Sequence, residues 1–148
     1  MRVRAAGIAL TAALAGSGCA VTMADVIASK AEGTAAVYAI PPERAYPLAV
    51  EVLRKAGVDA LEEHRDEGYM VATATPDMNP VFIAAWIEPD PAGSLVTFRT
   101  RRKRFNLFEL DFPEAGLHER MKERVDRDLR KSAGPAPLPG QEGAPREP

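Results

Sequence analysis

The sequence predicts an α+β fold: a two-layer sandwich whose antiparallel sheet of four to five strands carries two helices on one face, in the order β-α-β-β-β-β-α. Three observations lead there. Two stretches repeat apolar residues at helical intervals, and they bracket the rest of the chain. Between them lie short apolar runs punctuated by Gly, Pro, Asn and Asp, the marks of strands joined by turns. Residues 95–101 (LVTFRTR) alternate, with Val96, Phe98 and Thr100 on one face and Thr97, Arg99 and Arg101 on the other. Such alternation belongs to an antiparallel sheet with one face partly solvated. A sheet of this kind buries its apolar face most simply under helices.

The elements follow in order. Residues 35–40 (AAVYAI) form a compact run of strand length that Pro41 and Pro42 stop. Ala45, Leu48, Ala49, Val52, Leu53 and Ala56 then recur with helical spacing, and Gly57 supplies a C-terminal stop. Pro47 leaves two starts open. Either the helix begins at Pro42 and loses one backbone bond at Pro47, or it begins near Tyr46 with Pro47 in the tolerated first position. Residues 58–65 and 69–75 flank Asp66-Glu67-Gly68 as a hairpin. The most apolar strand, residues 81–88 (VFIAAWIE), is turned by Pro89 to Gly93 into residues 95–101. Residues 102–112 read as a short edge strand or as a loop pinned by Phe108, Leu110 and Phe112. From Pro113-Glu114 to about Lys131, Leu117, Met121, Val125 and Leu129 make a narrow apolar stripe, with Glu123–Arg127 and Asp126–Arg130 as i,i+4 pairs. The five prolines and three glycines of the last sixteen residues predict a disordered tail, residues 132–148.

The start of the chain reads as an address. Arg2 and Arg4 precede an uncharged run of Ala, Leu, Ile and Gly, the pattern of a secretory leader over residues 1–18. The run falls short of the ~20 apolar residues that span a bilayer. Gly16, Ser17 and Gly18 stand before Cys19, the single cysteine of the 148 residues, and the stretch resembles a bacterial lipobox. That resemblance implies a diacylglyceryl group on the Cys19 sulfur, acylation of its new amino group, and a membrane partner reached through the lipid. Gly16 departs from the pattern, which has an aliphatic residue three before the cysteine; Leu14 lies two residues further upstream. Ordinary secretion with cleavage after Ala20 and an uncleaved leader are the other readings of the same residues. Ala20, where the sorting rule of such lipoproteins has aspartate for inner-membrane retention, implies the outer membrane facing the periplasm. Residues 19–34 then form a lipid-anchored tether, with a short helix as the alternative for residues 21–34, and residues 35–131 form the single domain.

Composition removes several classes. The formal charge of −2 becomes −4 once Arg2 and Arg4 leave with the leader, which argues against a nucleic-acid partner. A lone cysteine forbids an intramolecular disulfide. No glycine-rich phosphate loop, G-x-S-x-G elbow or H-E-x-x-H occurs, so no cofactor is expected. Ser17, Ser29, Ser94 and Ser132 fall in the leader, the tether, a turn and a helix end, poor places for a nucleophile. Glu62 and His64 project the same way from a strand and would form two legs of a metal site or catalytic cleft if His118 joined them; with no third ligand marked, no metal is expected. The expectation is a non-catalytic protein.

Two surfaces remain as candidates for binding. Arg101-Arg102-Lys103-Arg104 is the one basic run, suited to an anionic surface or an acidic partner; the blander reading is a solvated strand end balanced by Glu109, Asp111 and Glu114. In residues 81–87, Val81, Ile83, Ala85 and Ile87 suit the helix-covered face, which leaves Phe82, Ala84 and Trp86 on the other. An open face there makes Phe82 and Trp86, with Tyr69 or Met70, an aromatic contact patch for an envelope protein or a second copy. Cover by residues 21–34 or 105–112 makes them ordinary core.

Cys19, Tyr38-Ala39-Ile40-Pro41, Leu53-Arg54-Lys55-Ala56-Gly57 and Asp66-Glu67-Gly68-Tyr69-Met70 resemble the punctuation of small bacterial envelope lipoproteins. The layout is similar to the α+β modules of outer-membrane assembly lipoproteins. The resemblance runs from Val37 to about Leu129 and implies an envelope binding or scaffold module. It carries over no catalytic residue. The rival from another class is an enzyme acting on an envelope polymer.

Overall fold

The computed structural model describes residues 21–102 and 114–134. Residues 1–20 with Cys19, residues 103–113 with Lys103 and Arg104, and residues 135–148 lie outside the described residues. The fold is α+β, built on one five-stranded antiparallel sheet. Strands β1 (Thr34–Tyr38), β2 (Ala60–His64), β3 (Tyr69–Ala74), β4 (Val81–Asp90) and β5 (Gly93–Arg102) stand in the order β1-β5-β4-β3-β2. β2 to β5 form a meander of neighbours, and β1 crosses to the far edge to pair with β5. Helices α2 (Pro42–Lys55) and α3 (Glu114–Ser132) cover one face, and a short helix, α1 (Met23–Ala28), lies on the other.

The helix-covered face holds the main core. Val81, Ile83, Ala85 and Ile87 of β4 and Val96 and Phe98 of β5 meet Ala45, Ala49, Val52 and Leu53 of α2 and Leu117, Met121 and Val125 of α3. These are the residues that alternation and helical spacing assign to the core. Leu129, last of the expected stripe, is 37% exposed. α2 starts at Pro42, the first of the two predicted starts, and Pro47 lies inside it. Glu43 and Pro47 are both exposed, so the carbonyl that loses its partner can turn to water. Two ion pairs tie α3 to α2, Arg124 to Glu51 at 2.7 Å and Asp128 to Arg44 at 2.5 Å, and the i,i+4 pairs expected along its own surface do not form.

Residues 22–32 depart from the tether expectation. Thr22 caps α1 in a reciprocal box with Asp25, and a 3₁₀ turn (Lys30–Glu32) carries the chain on to β1. Hydrogen bonds from Thr22 hold the exposed Asp25 carboxyl below its ordinary pKa. Val26 is fully buried against Val71, Ala84 and Trp86. A six-residue helix is too short to hold itself in water. Tertiary contact makes it, which is why loose periodicity left a tether as readable as a helix.

Two tight passages fix the sheet ends. Gly68 (φ 73°) ends a 3₁₀ turn (Arg65–Glu67) in the left-handed region, and its carbonyl accepts from the Ile87 N–H at 2.8 Å. Gly93 (φ 139°) begins β5 where the end of β1 crosses it, and an added Cβ would stand 2.2 Å from the Tyr38 carbonyl oxygen. Gly93→Ala therefore combines a strained φ with a backbone collision. It is expected to cost about 2 kcal/mol or more, read as a lower urea midpoint with an unchanged slope.

Candidate functional site

The structure separates the sequence candidates. Glu62 and His64 lie on edge strand β2, with His64 Nε2 3.1 Å from Glu62 Oε1 and its ring stacked on Tyr69 at 4.4 Å. His118 is on α3, beside the opposite edge strand β1 and on the other face of the sheet. Four strand spacings, about 19 Å, divide the two histidines laterally. They do not converge in one cleft. No cluster of three or more metal-ligating side chains occurs among the described residues.

The aromatic patch resolves in favour of cover. Trp86 is 7% exposed and Ala84 fully buried under Val26, while Phe82, Tyr69 and Met23 are partly buried around them. Lys30 Nζ stands 5.7 Å above the Trp86 ring and reaches Glu88 at 2.6 Å, closing the indole from above. Met70 is fully buried on the opposite, helix-covered face. Residues 21–33 thus turn the expected contact patch into a second, smaller core. Tyr69 and Phe82 keep their rims exposed; Trp86 offers no free ring face.

Of the described part of the basic run, Arg101 is engaged. Glu32 accepts from Arg99 at 2.5 Å and from Arg101 at 3.1 Å, and Arg99 Nε reaches Ser29 Oγ at 3.2 Å. Among the described residues, the acid that pairs with Arg101 is Glu32, upstream on the 3₁₀ turn; Glu109 and Asp111 of the expected downstream acids lie outside the described residues. Arg102 projects toward the helix-covered face, and its Nε is buried without a hydrogen-bond partner among the described residues.

The polar arrangement that sequence reasoning missed is centred on Glu114, first residue of α3. Its carboxylate accepts from the Thr34 N–H (2.9 Å), the Thr34 hydroxyl (2.7 Å) and the Thr100 N–H (2.8 Å), with Arg99 at 3.5 Å. Thr100 is the next β5 residue that would meet β1, and β1 ends at Thr34. The carboxylate thus takes the place of a missing strand residue. One turn on, His118 Nε2 lies 2.8 Å from the Thr34 carbonyl, and Nδ1 lies 2.8 Å from the Tyr38 hydroxyl. A carbonyl only accepts, so Nε2 donates to Thr34, while Nδ1 shares a hydrogen bond with the Tyr38 hydroxyl, which also reaches the His118 carbonyl at 3.2 Å. The ring also meets Phe98 edge-on at 4.9 Å. His118 is therefore a structural bracket between α3 and β1.

Beyond that bracket, a groove of about 550 Å³ opens between α3 and the edge of β1 that no described strand pairs. Ala36, Val125 and Leu129 give it an apolar floor, the β1 chain at Val37 borders it, and Glu119, Lys122 and Asp126 rim it. Val37 is 49% exposed. Only the assembled sheet shows this site, because the sequence does not reveal which strands become edges.

No described helix is long and apolar enough to cross a membrane. No protein-family model, curated protein or solved structure matches the chain.

Two measurements check the bracket. Glu114→Gln puts an amide before donors that need an acceptor and is expected to cost about 1–3 kcal/mol, seen in chemical denaturation with the native circular dichroism kept. Burial pushes the Tyr38 phenol up to about 12 from 10.0, and the phenols of Tyr46 and Tyr69 are raised as well. Folding favours the neutral phenol of Tyr38, so its contribution is fully present below pH 10 and is lost as pH rises through about 12. Absorbance titration at alkaline pH should show no tyrosine ionising before the unfolded value, and Tyr38→Phe should remove the latest step.

Proposed function

We infer that this chain is a bacterial envelope lipoprotein, anchored to the outer membrane through lipid on Cys19, whose α+β domain works by binding or scaffolding and not by catalysis. The observation that carries the reading is the join between leader and fold. Cys19 ends a positively started, uncharged leader behind three small residues, and the α1 capping box opens at Thr22, three residues later.

That spacing also determines how the domain stands. Three residues reach about 10 Å at full extension, and α1 is fixed to the sheet by Val26 and by the Arg99 and Arg101 contacts of Glu32. A lipidated Cys19 therefore holds the α1 face of the sheet close to the bilayer, with no free tether between. Two or more acyl chains, at about 0.8 kcal/mol per buried methylene, make such an anchor durable. Glu62 and His64 lie far from His118, so the convergence that would have favoured the enzymatic reading does not support it.

Metabolic labelling with a radioactive or clickable palmitate tests the anchor. The wild-type chain is expected to take up label and to fractionate with outer membrane, and Cys19→Ala is expected to lose both. An unlabelled wild type would overturn the reading.

A further inference from the structure

We propose that the edge of β1, unpaired among the described residues, together with the α3 flank beside it, is a homodimer interface at which two copies join their sheets antiparallel across a two-fold axis.

The two edges of the sheet differ in a way that calls for a reason. β2 carries Glu62, Glu63 and His64, charged and titratable groups of the kind that guard an edge against pairing. β1 reads Thr-Ala-Ala-Val-Tyr, with no charge, proline or bulge. Its outward hydrogen-bonding groups follow from the registers. Ile87 donates toward β3, so Trp86 faces β5, Thr97 faces β4, and Val96 and Phe98 face β1. Ala36, opposite Val96, is turned inward, and the N–H and C=O groups of Ala35 and Val37 point out from the sheet. An antiparallel second copy centred on Ala36 meets each Ala35 with the other's Val37, so donors and acceptors match reciprocally.

The helices decide between a second copy and an isolated peptide strand. α3 packs over β1 and β5 alike, so its axis lies about half a strand spacing inside β1. A two-fold axis stands about half a spacing outside β1. The two α3 helices then come about 9–10 Å apart, inside the range for packed helices. Leu129, 37% exposed in one copy, lies on that flank. Glu119, Lys122 and Asp126 alternate in sign along the groove. An antiparallel copy of that row, one turn out of register, sets each Lys122 against an acid. A lone peptide strand would satisfy the edge and leave this flank bare.

The interface is independent of the lipid anchor and is tested without it. The full-length chain with Cys19→Ser, so that lipid does not drive association, is measured by sedimentation equilibrium beside its Val37→Lys and Lys122→Glu derivatives. The expected result is a mass of twice 15.9 kDa, with the dissociation constant raised at least tenfold in each derivative, about 1.4 kcal/mol. Circular dichroism and thermal melting check that each variant is folded; neither side chain is buried, and the Val37 side chain is free of the core cluster. A folded parent that stays monomeric at micromolar concentrations overturns the proposal, and so does a dimer that both variants leave intact.

Discussion

A single carboxylate joins the two ends of the fold. β2 to β5 can form as successive hairpins, each register fixed by its neighbour, but β1 must return over most of the chain to find β5. Glu114 makes that closure specific. It bonds the start of β1 at Thr34 and the exposed end of β5 at Thr100 while opening α3, and Arg99 beside it carries the connection to Glu32 and the α1 segment. Acid in the first turn of a helix is also where the helix dipole favours negative charge. The position of the last helix, the edge of the sheet and the latch on its opposite face thus depend on one side chain, itself only 13% exposed.

The two faces of the sheet are built by different means. Under α2 and α3 the core is broad and apolar, and the helices tie to each other by ion pairs at its margin. On the other face Val26 supplies most of the apolar cover, and Ser29, Lys30 and Glu32 bond polar side chains that project from β4 and β5. Partly exposed pairs of this type contribute little singly, about 0–1 kcal/mol each. Their value here is positional, since they hold a helix too short to persist alone over an indole that would otherwise be open.

What was legible in the sequence follows the range of the physics. Period-two alternation assigned each residue of β4 and β5 to its face, and helical spacing selected the buried side of α2, because both patterns record burial locally. The fold class follows from those patterns. The cover over Trp86 was not legible: Val26 is one apolar residue in a short polar segment, and its effect depends on a sheet assembled far downstream. The groove at β1 was hidden for a related reason. Residues 34–38 read as an apolar strand with no sign of position, and only pairing with β5 shows that they form the unguarded edge. Glu114 looked like one more acid at a helix start, and its role is written in Thr34 and Thr100, 80 and 14 residues away.

The proposed anchor and the proposed interface impose a geometric condition on each other. A two-fold axis that joins two sheets edge to edge into one continuous sheet runs perpendicular to it, so like faces stay on the same side. Both α1 helices then lie on one face of the dimer and both α3 helices on the other. The α1 cap, Thr22, lies three residues after Cys19 in each copy, so both anchor points leave from the same face, and two copies can be lipidated into one leaflet without strain on the pairing. Had the bare edge been offered to a face-to-face dimer through Trp86, the α1 helices would have been buried between the copies and the anchors with them. Cover over the indole and exposure of the β1 edge are therefore consistent with a single arrangement: one face toward the bilayer, the edges side by side along it, and the α3 pair directed away.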